Sequence, residues 1–109
     1  MEITTLHADS TRAEVRVVGE LDGSAAVLLH EVIDGHVRAG RRYLRVDLGG
    51  VQRVGPSGAA TLAGAHDRLL ARRGTVILTG VNAALRKQFR EHGLADRLLI
   101  VAPTAAESI

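Results

Sequence analysis

Thr75-Val76-Ile77-Leu78-Thr79, closed on either side by Gly74 and Gly80, is the stretch that decides the fold. β-Branched residues dominate it, it is too short for a helix of normal length, and glycines punctuate both ends, so it reads as a strand. Its unbroken apolar centre predicts a central strand covered on both faces. On its N-terminal side Ala59, Leu62, Ala65 and Leu69 recur at helical spacing after Pro56 and stop at Arg72-Arg73-Gly74. Proline suits the first helical turn because its missing N–H has no partner there in any case. On its C-terminal side Asn82 is placed to cap a helix holding Leu85 and Phe89 at i and i+4, which Gly93 ends.

The same pattern extends outward. Tyr43 to Leu48 reads as a strand that ends at Gly49-Gly50, and Val51 to Gly55 as a connection to the Pro56 helix. Val27, Leu28, Val32, Ile33 and Val37 predict a helix over 24–39 with Gly40 as its stop. Glu14 to Gly19 alternates as a strand does, and Ile3 to His7 pairs beside it as a hairpin. Leu98 to Val101 is a last short strand, and Pro103 to Ile109 a frayed or weakly docked tail. The order β-β-α-β-α-β-α-β predicts an α/β domain with a small mixed sheet. One domain over 1–109 is expected, its core within 1–102.

Composition narrows the function. The chain has 109 residues, 46% apolar and 24% charged, which suits one globular core without staples. Tyr43 and Phe89 are its only aromatic residues, so aliphatic side chains must build that core. With no cysteine, disulfides, thiolate metal sites and cysteine nucleophiles are excluded, and no cofactor is expected. No leader-like N-terminus and no apolar run of bilayer length is visible, which predicts a cytoplasmic protein without direct membrane insertion. The net charge is only +2 and arginines alternate with acids, so no coherent basic stripe or aromatic platform for nucleic acid exists.

Several stretches imitate active sites. Gly50-Val51-Gln52-Arg53-Val54-Gly55-Pro56-Ser57 has P-loop spacing, but Pro56 replaces the phosphate-binding lysine and removes a backbone donor. Gly55-Pro56-Ser57-Gly58-Ala59 approximates a nucleophile elbow, yet an elbow serine follows its strand directly, and Ser57 lies well beyond Leu48. The histidines are scattered without metal-ligand spacing. Arg41-Arg42 and Arg72-Arg73 each follow a helix, where cations complement the C-terminal dipole.

Taken together, Val18-Gly19-Glu20-Leu21-Asp22, Val46-Asp47-Leu48-Gly49-Gly50-Val51, Ser57-Gly58 at a helix start, the Thr75 to Gly80 strand, and Asn82-Ala83-Ala84-Leu85-Arg86 through Gly93-Leu94 resemble the STAS family, which includes the bacterial anti-sigma factor antagonists. The resemblance runs from about Val15 to Val101. It implies a small mixed sheet with helices mainly on one face, and a non-enzymatic protein-binding role. In partner-switching circuits such a domain captures a kinase-like anti-sigma factor, and phosphorylation at the start of the second helix reverses the capture. STAS-like domains also occur beside anion and lipid transporters, which leaves open a transport-complex subunit or small-ligand module.

This chain departs from the family at the switch. The family reads Asp-Ser-Ser-Gly or Asp-Ser-Thr-Gly, with phosphate on the residue after the aspartate. Aligned on Gly58, those two positions are Gly55 and Pro56, and proline accepts no phosphate. Ser57 is then either a displaced acceptor, rotated about 100° around the helix, or a first-turn serine whose hydroxyl satisfies exposed backbone N–H groups. Asp22 matches the aspartate of the family's Gly-Glu-Leu-Asp segment near the partner-facing surface; capping the first helix is its other reading. The implied docking surface comprises Asp22, Gly23, Ser24, Arg53, Gly55, Pro56, Ser57 and Gly58.

Overall fold

A computed structural model describes residues 2–94 and 98–100 of the chain. Strand β1 (Glu2–Ala8) turns back on β2 (Arg12–Leu21) in the expected hairpin. The turn is stitched by Asp9, whose Oδ1 accepts the backbone N–H groups of Thr11 at 2.9 Å and Arg12 at 2.8 Å. The chain continues through α1 (Ser24–Arg38), β3 (Tyr43–Val54), α2 (Pro56–Leu70), β4 (Thr75–Thr79), α3 (Ala83–Glu91) and β5 (Leu99–Ile100).

The five strands lie side by side in sequence order, β1 antiparallel and the other neighbours parallel. This is the mixed α/β sheet expected, with one core on the helical side. Val15, Val17, Val46, Leu48, Val76 and Leu78 point into that core, where Leu29 and Ile33 of α1, Leu62 and Leu69 of α2, and Leu85 and Phe89 of α3 cover them. Among the described residues no polar or charged side chain is fully buried, so aliphatic packing is what holds the layers together. The second sheet face carries Arg12, Glu14, Arg16, Tyr43, Arg45 and Asp47 and stays open to solvent or half-covered.

Helix boundaries follow the predicted signals. Asn82 caps α3 by accepting the Leu85 N–H at 2.8 Å, and Gly93 at φ 72° ends it. Pro56 opens α2. That helix closes with Arg73 in the left-handed region at φ 60°, so that Gly74 N–H reaches Leu69 O at 2.7 Å.

Three expectations are corrected, and a fourth falls partly outside the described residues. Gly49-Gly50 does not end β3; the strand runs on to Val54, because two register shifts against β2 absorb its extra residues. β4 is not covered on both faces: Val76 and Leu78 are buried, while Ile77 lies half-buried on the open side. Arg41 is not dipole punctuation, since its Nε donates to Asp9 O at 2.7 Å and its Nη1 meets His36 Nδ1 at 3.2 Å, tying the hairpin turn to α1. The last strand is Leu99–Ile100 as described, and Val101 with the expected tail over 103–109 lies outside the described residues.

Candidate functional site

Strands β2 and β3 finish side by side, with Leu21 paired to Val54, and each passes at once into a helix. Parallel pairing therefore brings the N-termini of α1 and α2 together at one corner of the molecule. Each helix start leaves backbone N–H groups without partners in its own helix. The corner is built from how those donors are satisfied.

Helix α2 has Gly55 as its N-cap, which has no side chain to offer. The cap comes from the neighbouring strand end: Asp22 Oδ1 accepts the Ser57 N–H at 3.1 Å and also the Ser57 hydroxyl proton. Ser57 Oγ in turn accepts the Gly23 N–H at 3.0 Å. The Ser57 hydroxyl foremost, helped by the N–H groups of Ser57, Gly23 and Gly58, holds the Asp22 carboxyl below the ordinary aspartate value of 3.8 against a smaller desolvation effect. An anion at a helix N-terminus also complements the helix dipole.

Two glycines make this approach possible. A Cβ on Gly55 would overlap the Asp22 carboxylate, and a Cβ on Gly58 would overlap Leu21 O. Gly23 takes φ 53° and ψ −125°, a region that side-chain-bearing residues rarely adopt. The corner is thus a backbone-tight junction in which, among the residues joined by these contacts, Asp22 carries the ionisable group.

Behind it, α3 secures the end of β3, which β4 is too short to reach. Gln88 Oε1 accepts the Val54 N–H at 2.7 Å while its Nε2 donates to Gln52 O at 3.1 Å, and His92 Nε2 lies 3.1 Å from Val54 O. Thr61 Oγ1 donates to Ser57 O at 3.0 Å, within α2. Sequence reasoning missed Gln88, Thr61 and His92; the one available signal was a glutamine directly before the buried Phe89.

Of the residues expected at the docking surface, the structure joins Asp22, Gly23, Gly55, Ser57 and Gly58 through these contacts. Ser24 and Pro56 flank the corner in exposed positions, and Arg53 is exposed on β3 opposite Glu20. Asp22 caps the second helix, not the first, whose own cap makes no side-chain hydrogen bond.

Ser57 is nearer to an elbow position than the sequence suggests. Because β3 reaches Val54, Ser57 does follow its strand closely. What separates it from a hydrolase nucleophile is its wiring: its hydroxyl proton goes to Asp22, and among the described residues no histidine is hydrogen-bonded to it. Nor do the described residues gather three potential metal ligands at one point, and none of their helices is long and apolar enough to cross a membrane.

The family model described as "Mlab, STAS domain" matches residues 4–101. The chain belongs to the STAS domain family. A comparison with curated protein sequences found no match. Among solved structures, the chain is similar to an anti-sigma factor antagonist from Mycobacterium paratuberculosis, at 26% identity and TM-score 0.78, over 98% of this chain and 91% of that one. It is similar in fold to the anti-sigma factor antagonist SpoIIAA in its unphosphorylated form, at 19% identity and TM-score 0.76, over 98% and 94% of the two chains. The phosphorylated form of SpoIIAA, the Bacillus cell fate determinant, matches at 21% identity and TM-score 0.72, over 98% and 96%.

Proposed function

We propose that this chain is a non-enzymatic docking domain of the anti-sigma factor antagonist type, which binds a kinase-like anti-sigma factor or related regulatory protein at the Asp22–Ser57 corner and works without a phosphate switch at that corner. The observation that carries this reading is the wiring of Ser57. Its hydroxyl donates to Asp22 and accepts from Gly23 N–H, so its single proton and one of its two acceptor sites are engaged inside the protein.

An acceptor serine must present its oxygen to a nucleotide phosphate. Here the product would lose the hydroxyl proton that Asp22 accepts and would place a phosphate of about −1.5 to −2 charge against the Asp22 carboxylate. Pro56, exposed at the family's acceptor position, has no hydroxyl. The corner is a fixed surface of helix N-termini with exposed Ser24, Arg53 and Pro56 around it, suited to a protein partner.

The test is a pull-down from the host's lysate with identification of the retained proteins. An ATPase-fold anti-sigma factor, retained by the native chain and lost with Ser57→Asp, is the expected result. Incubating that partner with labelled ATP should leave the chain unlabelled; label that disappears in Ser57→Ala overturns the unswitched reading.

The missing acceptor also favours a second reading, a STAS subunit of a membrane transport complex, because a permanent subunit needs no reversible switch. Retention of a permease or transport ATPase in place of an anti-sigma factor selects it.

A further inference from the structure

The open face of the sheet, remote from the Asp22–Ser57 corner, carries a depression of about 390 Å³ at the N-terminal ends of β2, β3 and β4. Its floor is set by register. Arg12, Tyr43 and Thr75 are neighbours across the three parallel strands, and Glu14, Arg45 and Ile77 form the next row. Side chains of such neighbours stand about 5 Å apart on one face.

Three features distinguish this place from the rest of the face. The first is charge. One row away Arg16 is matched by Asp47 at 3.1 Å, whereas among the described residues the guanidiniums of Arg12 and Arg45 have no carboxylate partner. Arg42, outside the lining, stands 5.5 Å from the Tyr43 ring centroid. Glu14 is the single carboxylate in the lining, and the Asp9 carboxylate is already engaged by His7 and the hairpin turn.

The second feature is apolar area. Tyr43 is 37% exposed and Ile77 half-buried within the depression, while Val18, also exposed on this face, lies two rows further along β2 and outside the lining. The third is a bulge in β1. Pairing steps from Thr5 with Val15 directly to His7 with Glu14, leaving Leu6 unpaired. Before it, Ile3 packs on the core and Thr5 reaches His36 of α1, both on the helical side. Strict alternation would send His7 there too. The extra residue turns His7 onto the open face, where it walls the depression.

From this geometry we infer that the open-face depression binds a small organic anion, its carboxylate or phosphate group held by Arg12 and Arg45 and its flat apolar body laid on Tyr43 and Ile77. Guanidinium forks suit such oxyanions because they offer paired N–H donors in one plane. The site is independent of the docking reading of the Ser57 corner.

The experiment is an amide chemical-shift titration of the full chain with phenyl phosphate and, in parallel, phenylacetate, using phenol as the uncharged control. Saturable shifts confined to Arg12, Tyr43, Arg45 and Ile77 are expected for at least one anion, and the tighter of the two identifies the head group. Arg12→Gln with Arg45→Gln should weaken that binding about tenfold or more, with the Ser57 amide unmoved and the melting temperature checked to show that the variant folds. Equal binding of phenol, shifts centred on Ser57, an unaffected double variant, or no saturation below about 10 mM overturns the site.

Discussion

The Asp22 carboxylate occupies the space in which a side chain at residue 55 would begin: a Cβ built on Gly55 would overlap Asp22 Cγ and Oδ2. The carboxylate at the start of α2 therefore comes from the end of the neighbouring strand and not from the helix itself. It caps α2 from outside, and in this backbone it leaves no room for a side chain at residue 55.

Gly55→Asp should therefore be destabilising, by about 1–3 kcal/mol from overlap in a tight junction. Combined with Asp22→Gly, the same substitution should recover most of that loss, since an aspartate at an N-cap accepts the N2 and N3 amides itself. Urea unfolding of the two single variants and the double variant measures it. Additive losses would show that the two positions do not share one site.

Gln88→Leu is expected to cost about 1–3 kcal/mol, because it strands the part-buried Val54 N–H without an acceptor. Hydrogen exchange at Val54 and Ser57 should accelerate more than at Val76, whose strand does not depend on Gln88. Equal acceleration everywhere would reduce Gln88 to a general stability effect.

Phe89 is fully buried beneath the sheet and is the only phenylalanine in the chain. Phe89→Ala should cost about 3–5 kcal/mol, a large share of the roughly 5–15 kcal/mol typical of a domain. Phe89→Leu, which keeps most of the volume, should cost clearly less. Denaturant midpoints at constant slope test both, and equal losses would contradict a close-packed site.

Stability should also fall in acid in two steps. His36 is held below its ordinary value of 6.5, first by burial and then by the Arg41 charge. Its unfolded form takes up a proton more readily, so its contribution is complete above 6.5 and declines as the pH drops below that value. Protonation would also put a hydrogen on Nδ1, facing Arg41. Asp9, lowered to about 2 mainly by the Thr11 and Arg12 amides, and Asp22 and Asp34, lowered by Ser57 and Arg68 respectively, contribute above 3.8 and are lost below it. Melting temperature against pH should show both steps, and His36→Gln should lose the upper one. Persistence of that step in the variant would assign it to another histidine.

Much of this architecture was legible in the chain. The 75–79 strand, the Pro56 start, the Asn82 cap and the Leu85–Phe89 pair depend on local pattern, and local pattern is what a sequence displays. The extent of β3 was hidden because Gly49-Gly50 is a normal strand terminator, and only pairing with β2 carries the backbone past it. The run Val76-Ile77-Leu78 suggested cover on both faces, although Ile77 rests beside the open depression. Asp22 precedes α1 and naturally reads as its cap. Its true partner lies 35 residues further on, and such a distance leaves no periodic trace.

The unpaired Leu6 has a consequence beyond the aim of His7. β1 is an outer strand of the sheet, and a regular outer strand offers its free amides and carbonyls as a template on which another molecule can grow. The bulge puts those groups out of step midway along β1, so a second chain cannot zip along its length. That margin of the sheet is thereby a poor template for strand addition.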